Sequence, residues 1–101
     1  MIKSFEYYVE NPLKRAPKGW DEINNSIQKE FEFEDFTDAV RFINKIALLS
    51  HKIDHHPDLF LHDYKYVTVT YTTHDEDSVT PKDYNASDMV NEIYFGIRYN
   101  I

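Results

Sequence analysis

The chain has five histidines, and three of them stand within six positions in the segment SHKIDHHPDLF, residues 50–60. The five are His51, His55, His56, His62 and His74. Imidazole titrates near neutral pH, so it can both donate and accept a proton, and its neutral form binds metal ions. The segment is therefore a candidate for either acid/base or metal chemistry.

Metal binding is one interpretation of this cluster. His51 and His55 are four residues apart, so on one helix they would share a face, and such pairs occur in zinc sites. A third ligand could come from Asp54, Asp58 or His74. However, Lys52 follows His51, so the glutamate of an H-E-x-x-H metalloprotease is absent. The spacing allows a metal site but does not require one.

Acid/base catalysis is the second interpretation, and it requires two or three imidazoles that converge on one cleft. That condition is met if the helix end near His55 lies beside the strand end near His74. An ordinary interpretation also exists, because a histidine at a helix C-terminus often only compensates the helix dipole. We interpret His62 as a solvent-facing strand residue.

The first two elements that would position these residues follow from the apolar pattern. IQKEFEFEDF, residues 27–36, alternates apolar and polar side chains, apart from a slip at Lys29, and predicts a half-buried strand. Thr37 is the predicted N-cap of an amphipathic helix that ends near Asp54, since Pro57 cannot continue it. The predicted buried stripe of this helix is Ala39, Val40, Ile43, Ile46, Ala47 and Ser50.

A hairpin and a second helix follow. Residues 59–62 and 66–73 are rich in β-branched and aromatic side chains and predict two antiparallel strands with a tight turn between them. Thr80, Pro81 and Asp83 are typical of a helix start, as N-cap, first and third helical residues. The predicted buried stripe of this helix is Ala86, Val90, Ile93 and Ile97.

The order of these elements predicts an α+β fold, an antiparallel four-stranded sheet with helices packed on one face. Residues 5–9, FEYYV, are open to two interpretations, a short strand or a helical turn, and residues 11–19 are predicted to be a loop. The length of 101 residues predicts one domain spanning residues 1–101 with a single core.

Composition excludes several function classes. The net charge of −7 argues against a nucleic-acid-binding surface, which needs clustered lysine and arginine. The chain has no cysteine, so disulfides, thiolate catalysis and cysteine zinc sites are excluded. We find neither a signal-peptide pattern nor an apolar run of about 18 residues, and we expect a cytoplasmic protein without a membrane partner.

The histidine spacing resembles the signature of the pterin-4a-carbinolamine dehydratases. H-x-x-x-H-H-P begins at His51, and Tyr64, His74 and Asp83 then follow after six, nine and eight residues. Four further motifs agree with that family, namely GW at 19–20, F-x-F-x-D-F at 31–36, AL at 47–48 and TH at 73–74. The resemblance covers about residues 19–95.

The resemblance implies a hydro-lyase of tetrahydropterin recycling. Such an enzyme removes water from 4a-hydroxytetrahydropterin and releases quinonoid dihydropterin, with neither metal nor organic cofactor. The implied catalytic residues are His55 and His74 as acid and base, with His56 mainly binding and orienting the pterin. The implied substrate contacts are Asp54, His55, His56, Thr72, Thr73, His74 and Asp75. His51 and Asp83 are candidate modulators.

Two departures from the family pattern bear on the site. His51 stands where animal members carry a glutamate, so the charge near His55 and the pH dependence are expected to differ. Leu59 replaces the tryptophan that usually follows the His-His-Pro segment, which is expected to remove an aromatic wall from the site.

The resemblance also implies a homodimer formed through sheet edges, or a homotetramer. The alternative function is a non-catalytic dimerisation or assembly factor of the same fold, a role known among relatives. The intact set of His55, His56 and His74 favours the enzyme.

Overall fold

Three α-helices, a short 3₁₀ helix and four β-strands make up residues 4–100, which are the residues described by this computed structural model. In chain order the elements are α1 (Phe5–Glu10), β1 (Asp21–Ile23), β2 (Ser26–Glu32), α2 (Phe36–Ile53), β3 (Asp58–His62), β4 (Tyr66–Tyr71) and α3 (Pro81–Arg98). The 3₁₀ helix, His74–Glu76, connects β4 to α3.

The four strands form one antiparallel sheet in the order β1-β2-β4-β3. Alternate residues of β4 are buried, and these three side chains belong to the same core as the apolar side chains of α2 and α3. They are Val67, Val69 and Tyr71. The predicted α+β fold is therefore confirmed, and the two hairpin strands lie within about two residues of their predicted bounds.

The residue that breaks the apolar pattern of β2 is Lys29, which lies on the core side of the sheet. Ile27 and Phe31 are buried, and Lys29 between them is half-buried. Its ammonium group donates a hydrogen bond to Asn91 Oδ1 on α3 (3.1 Å) and lies 4.8 Å from the centre of the Phe31 ring. Burial lowers the pKa of Lys29. The inward and outward positions therefore alternate through Lys29, and the predicted half-buried strand is confirmed as Ser26–Glu32, which ends earlier than the predicted residue 36.

Helix α2 differs from its prediction at the start and in its buried stripe. Its N-cap is Asp35, whose carboxylate accepts a hydrogen bond from the Asp38 N–H (2.8 Å), so Thr37 lies inside the helix. Phe42 is fully buried, whereas Ala47 is exposed. The stripe therefore runs through Ala39, Phe42, Ile46 and Ser50. The larger Phe42 side chain fills the core, and Ala47 falls on the outer side.

Two short elements were not assigned from the sequence. Strand β1 pairs with β2 through a tight turn at Asn24, which has a positive φ of 55°. The segment left open between strand and helical turn is helix α1, and only its Tyr8 is buried. The Tyr8 hydroxyl donates to Asp88 on α3 (2.6 Å), so α1 is anchored to the longer helix.

Helix α3 begins as predicted. The Thr80 side chain accepts a hydrogen bond from the first turn, and the Asp83 side chain accepts one from the Thr80 N–H, which completes a capping box after Pro81. Ala86, Val90 and Ile97 are buried and Ile93 is half-buried, in agreement with the predicted stripe. None of the helices within residues 4–100 has the length and apolar character that crossing a membrane requires.

Candidate active site

The end of α2 turns the chain inward at the histidine cluster. Asp54 has the left-handed conformation (φ 53°, ψ 46°) and caps the helix. The His55 N–H donates to the Ser50 carbonyl (3.2 Å), so His55 follows the helix instead of extending it. His51 stays on the exposed side of the last helical turn. The expectation that His51 and His55 share a helix face was therefore wrong.

His55 is held by a buried carboxylate and by an aromatic ring. Its Nε2 lies 2.7 Å from Asp83 Oδ1, and its ring stacks on Tyr71 with centroids 5.5 Å apart and planes 13° apart. The Asp83 side chain is fully buried, and that of His55 is 13% exposed. A carboxylate can only accept, so the proton of this hydrogen bond lies on Nε2. The His55 Nδ1 has no hydrogen-bond partner within residues 4–100.

Asp83 connects three elements through one carboxylate. Its Oδ2 accepts hydrogen bonds from the Thr80 N–H (2.9 Å) and the Thr73 hydroxyl (2.8 Å). Because Thr73 donates its one hydroxyl proton to Asp83, the Thr80 hydroxyl is the donor in the 2.7 Å contact between the two threonines. Asp83 thus joins the segment after β4, the start of α3 and the imidazole that follows α2.

Tyr71 lies beneath His55 with its hydroxyl buried and no hydrogen-bond partner within the described chain. The nearby Ser50 hydroxyl donates to the Ile46 carbonyl (2.7 Å) instead. Burial raises the pKa of Tyr71, and the negative charge of Asp83 raises it further. Tyr71 therefore stays a neutral phenol at physiological pH and supports the imidazole by stacking.

A polar cleft of about 300 Å³ opens beside this network, and we call it the catalytic cleft. Its walls are Asp54, His55, His56, Thr73, His74, Asp75 and Lys82. Six of these seven residues were predicted as substrate contacts from the sequence. The end of α2 and the end of β4 therefore do lie side by side, which was the condition for acid/base chemistry.

Three predicted residues do not line the catalytic cleft. Thr72 donates its hydroxyl to the Asn25 carbonyl in the β1–β2 turn, and His51 is exposed on α2. Asp83 lies behind His55, where it can act only through the imidazole. Leu59, which stands where the family tryptophan is usual, packs on the core and is not part of the cleft wall.

Lys82 is the one lining residue that the sequence did not predict. It is exposed in the first turn of α3, directly before Asp83, and no side chain of residues 4–100 forms an ion pair with it. A cation in the first turn opposes the helix dipole. That unfavourable placement is the sequence signal that could have identified it.

The metal interpretation finds no ligand set in the described chain. Within residues 4–100, no three histidine, aspartate or glutamate side chains are close enough together to hold a metal ion. His55, the central candidate, uses its Nε2 for Asp83.

Comparison with known proteins was made at the level of sequence and of structure. The sequence model of the family described as pterin 4 alpha carbinolamine dehydratase matches residues 6–93. A protein of Sulfolobus acidocaldarius, provisionally named as a pterin-4-alpha-carbinolamine dehydratase, is 38% identical over 87 residues, which is 83% of this chain and 94% of that protein. One of Prochlorococcus marinus with the same provisional name is 42% identical over 74 residues, or 73% and 77% of the two chains.

Two solved structures are similar to the fold. The crystal structure of a transcriptional coactivator/pterin dehydratase from Brucella melitensis superposes with a TM-score of 0.72 at 37% identity, over 76% of this chain and 83% of that one. A pterin dehydratase-like protein identified as a RuBisCO assembly factor in the alpha-carboxysome gives a TM-score of 0.62 at 17% identity, over 74% and 86%. The second likeness concerns the fold alone.

Proposed function

The chain belongs to the pterin-4-alpha-carbinolamine dehydratase family, and from that premise we propose that it removes water from a 4a-hydroxytetrahydropterin in tetrahydropterin recycling. The observation that carries the proposal is the catalytic cleft, whose walls include His55, His56 and His74. Three imidazoles in one open cleft are suited to a reaction that needs one proton given and one proton taken near neutral pH.

The reaction is a balanced elimination. One imidazolium protonates the 4a-hydroxyl group, and the carbon–oxygen bond breaks with its electron pair leaving in water. A second, neutral imidazole removes a proton from the ring-nitrogen side, and the electrons of that N–H bond form the new carbon–nitrogen double bond. The product is the quinonoid dihydropterin. No electron is gained or lost overall, so the proposed chemistry uses no redox cofactor.

We assign the base to His55 and the acid to His74. Asp83 holds the Nε2–H of His55, so the lone pair of Nδ1 is available to accept the substrate proton. The buried carboxylate then stabilises the resulting imidazolium, as in other carboxylate–imidazole pairs. His74 is exposed and can recover its proton from water. His56 is assigned to orienting the pterin together with Asp54, Thr73 and Asp75.

A direct activity measurement tests this proposal. The 4a-hydroxytetrahydropterin is generated by an aromatic amino acid hydroxylase, and quinonoid dihydropterin formation is followed by absorbance with and without the protein. We expect acceleration above spontaneous dehydration, and we expect it to persist after exhaustive chelation. The matched control is His62→Ala, which removes an imidazole far from the cleft. No acceleration by the wild-type protein would contradict the proposal and favour the non-catalytic dimerisation or assembly role.

We also propose that residues 1–101 act as one domain in a homodimer or homotetramer. Strand β3 ends the sheet, so one row of its backbone N–H and C=O groups has no strand partner within residues 4–100. Such edges readily pair with another chain. Light scattering at micromolar concentration measures the mass, and a 12.1 kDa monomer would contradict this assembly.

A further inference from the structure

A second cavity of about 300 Å³ meets the catalytic cleft at Asp54, His55 and Lys82. It lies between α1, the end of α2 and the first half of α3, and we call it the apolar groove. Its apolar walls are Phe5, Tyr8, Val9, Ile53, Ala86 and Met89. His55, the assigned base, therefore separates a polar compartment from an apolar one.

The apolar groove exists only because α1 is fixed to α3. A helix of six residues is not stable alone, so tertiary contacts must hold it. The Tyr8 hydroxyl donates to Asp88 (2.6 Å), and the Leu13 N–H donates to Asn85 Oδ1 (2.9 Å). These contacts also occupy polar groups of the groove wall. What remains for a ligand is mainly hydrocarbon and ring surface.

We propose that the apolar groove binds an aliphatic substituent of the pterin ring while the ring itself occupies the catalytic cleft. This inference rests on the proposed function and specifies its substrate class, namely pterins with an apolar side chain of three or more carbons. The two compartments are adjacent and share Asp54, His55 and Lys82 as lining residues, so a ligand that lies across His55 contacts both. Ligand sites combine mainly apolar walls with a few placed polar groups, and the two compartments together have this character.

The substituent takes no part in bond making or breaking, so its burial strengthens binding of substrate and transition state equally. Each buried methylene is worth about a fourfold change in affinity. The first experiment compares the 4a-hydroxy derivatives of 6-methyl- and 6-propyltetrahydropterin. Propyl has two more methylenes than methyl, so we expect the propyl substrate to have a KM about 16-fold lower, with kcat within about twofold.

A charge placed in the apolar groove should remove that preference. Val9→Asp is suitable because Val9 is 65% exposed, so the substitution is tolerated by the fold. Leu48→Asp is the matched control, since Leu48 is an exposed apolar side chain on α2 (74%) outside both compartments. We expect Val9→Asp to bring the propyl-to-methyl KM ratio close to one, and Leu48→Asp to leave it unchanged.

Binding of the oxidised, unreactive 6-methyl- and 6-propylpterins provides a readout without turnover. Pterin fluorescence gives both Kd values, and their ratio should follow the KM ratio in the wild type and in each variant. Equal KM and equal Kd for the two substituents would overturn the apolar groove as a subsite and leave the proposed function intact. If neither substrate is turned over, the proposed function fails first. A change of molar mass in Val9→Asp with an unchanged substituent ratio would mean that a second copy covers the groove, which also overturns the inference.

Discussion

His55 and His62 have nearly the same immediate neighbours, yet they lie in different surroundings. The Nε2 of each contacts a carboxylate, Asp83 at 2.7 Å for His55 and Glu30 at 2.9 Å for His62. Each ring also stacks on a tyrosine, with centroids 5.5 Å apart for His55 and Tyr71 and 5.4 Å apart for His62 and Tyr66. An imidazole with a carboxylate and an aromatic neighbour is therefore not by itself a catalytic site.

The two histidines differ in the burial of their carboxylate partners and in whether the second ring nitrogen, Nδ1, has a hydrogen-bond partner. Both nitrogens of His62 are used, because Nδ1 contacts Asp63 (3.0 Å). Both carboxylates are exposed, Glu30 on strand β2 and Asp63 in the turn between β3 and β4. Asp83 is fully buried, and the imidazole that it holds keeps Nδ1 unused beside a cleft. A buried partner behind the ring and a free nitrogen near a cavity are the features that distinguish the two histidines.

The largest expected effect comes from removing the cleft histidines. His55→Ala and His74→Ala should each lower kcat by roughly 10²-fold or more, the usual worth of a positioned proton-transfer group. His62→Ala should leave kcat within about twofold, since its ring is engaged away from the cleft. Steady-state kinetics of the three variants measures this. Similar small effects at all three positions would remove the distinction between the two histidines.

The second effect concerns the carboxylates behind the two rings. Asp83→Asn should lower the free energy of unfolding by about 3 kcal/mol, because three buried donors lose a charged acceptor. It should also lower kcat by roughly 10-fold and alter its pH profile, since the His55 tautomer is no longer fixed. Asp63→Asn is the control on the His62 side and should change neither quantity. Denaturant unfolding and kcat–pH profiles measure both. An unchanged pH profile in Asp83→Asn would mean that Asp83 is structural only.

A third, smaller effect is expected beneath His55. Tyr71→Phe removes a buried hydroxyl that has no hydrogen-bond partner within the described chain and keeps the ring on which His55 stacks. The free energy of unfolding should change by less than about 1 kcal/mol, and kcat by less than about threefold. A loss of kcat comparable with that of His55→Ala would show that the phenol takes part in the chemistry.

The smallest effect is the pH dependence at His62. Hydrogen bonds that the ring of His62 donates to the Asp63 and Glu30 carboxylates raise the pKa of His62 above its ordinary value. A raised folded-state pKa stabilises the fold fully below the unfolded pKa of about 6.5, and this contribution is lost as pH rises through the folded pKa. The Tm difference between wild type and His62→Ala should therefore be larger at pH 5.5 than at pH 9. NMR titration of His62 gives its pKa directly, and a value at or below about 6.5 would contradict the assignment.

Elements with strong local signals were predictable from the sequence. The start of α3 depends on Thr80, Pro81 and Asp83, which act within one turn, and the structure confirms it. Strand β1 and helix α1 were missed or left open because their residues are mostly exposed and carry no clear period. Strand β1 has only three residues and pairs locally with β2, whereas α1 is held by a residue distant in the chain, through the Tyr8 contact with Asp88 that a local pattern does not contain.

Most residues of the candidate site could be predicted from the sequence, but the contacts between them could not. Spacing and resemblance together named most residues of the catalytic cleft, because they lie in two short segments. The spacing did not show that Asp83 is the buried partner of His55, since 28 residues and the whole hairpin separate them. Lys82 was missed because its one sequence signal, a cation in the first turn of a helix, says nothing about which cavity the side chain lines.

The capping box of α3 couples the local order of the first helical turn to the position of His55. Because Asp83 closes the first helical turn and also holds the imidazole, any opening fluctuation that frays this turn releases His55 in the same event. Amide hydrogen exchange at the start of α3 would then report the fraction of molecules in which His55 is released from Asp83. Substitutions or solvents that loosen this one turn should abolish the proposed activity well before the sheet and the aromatic core unfold.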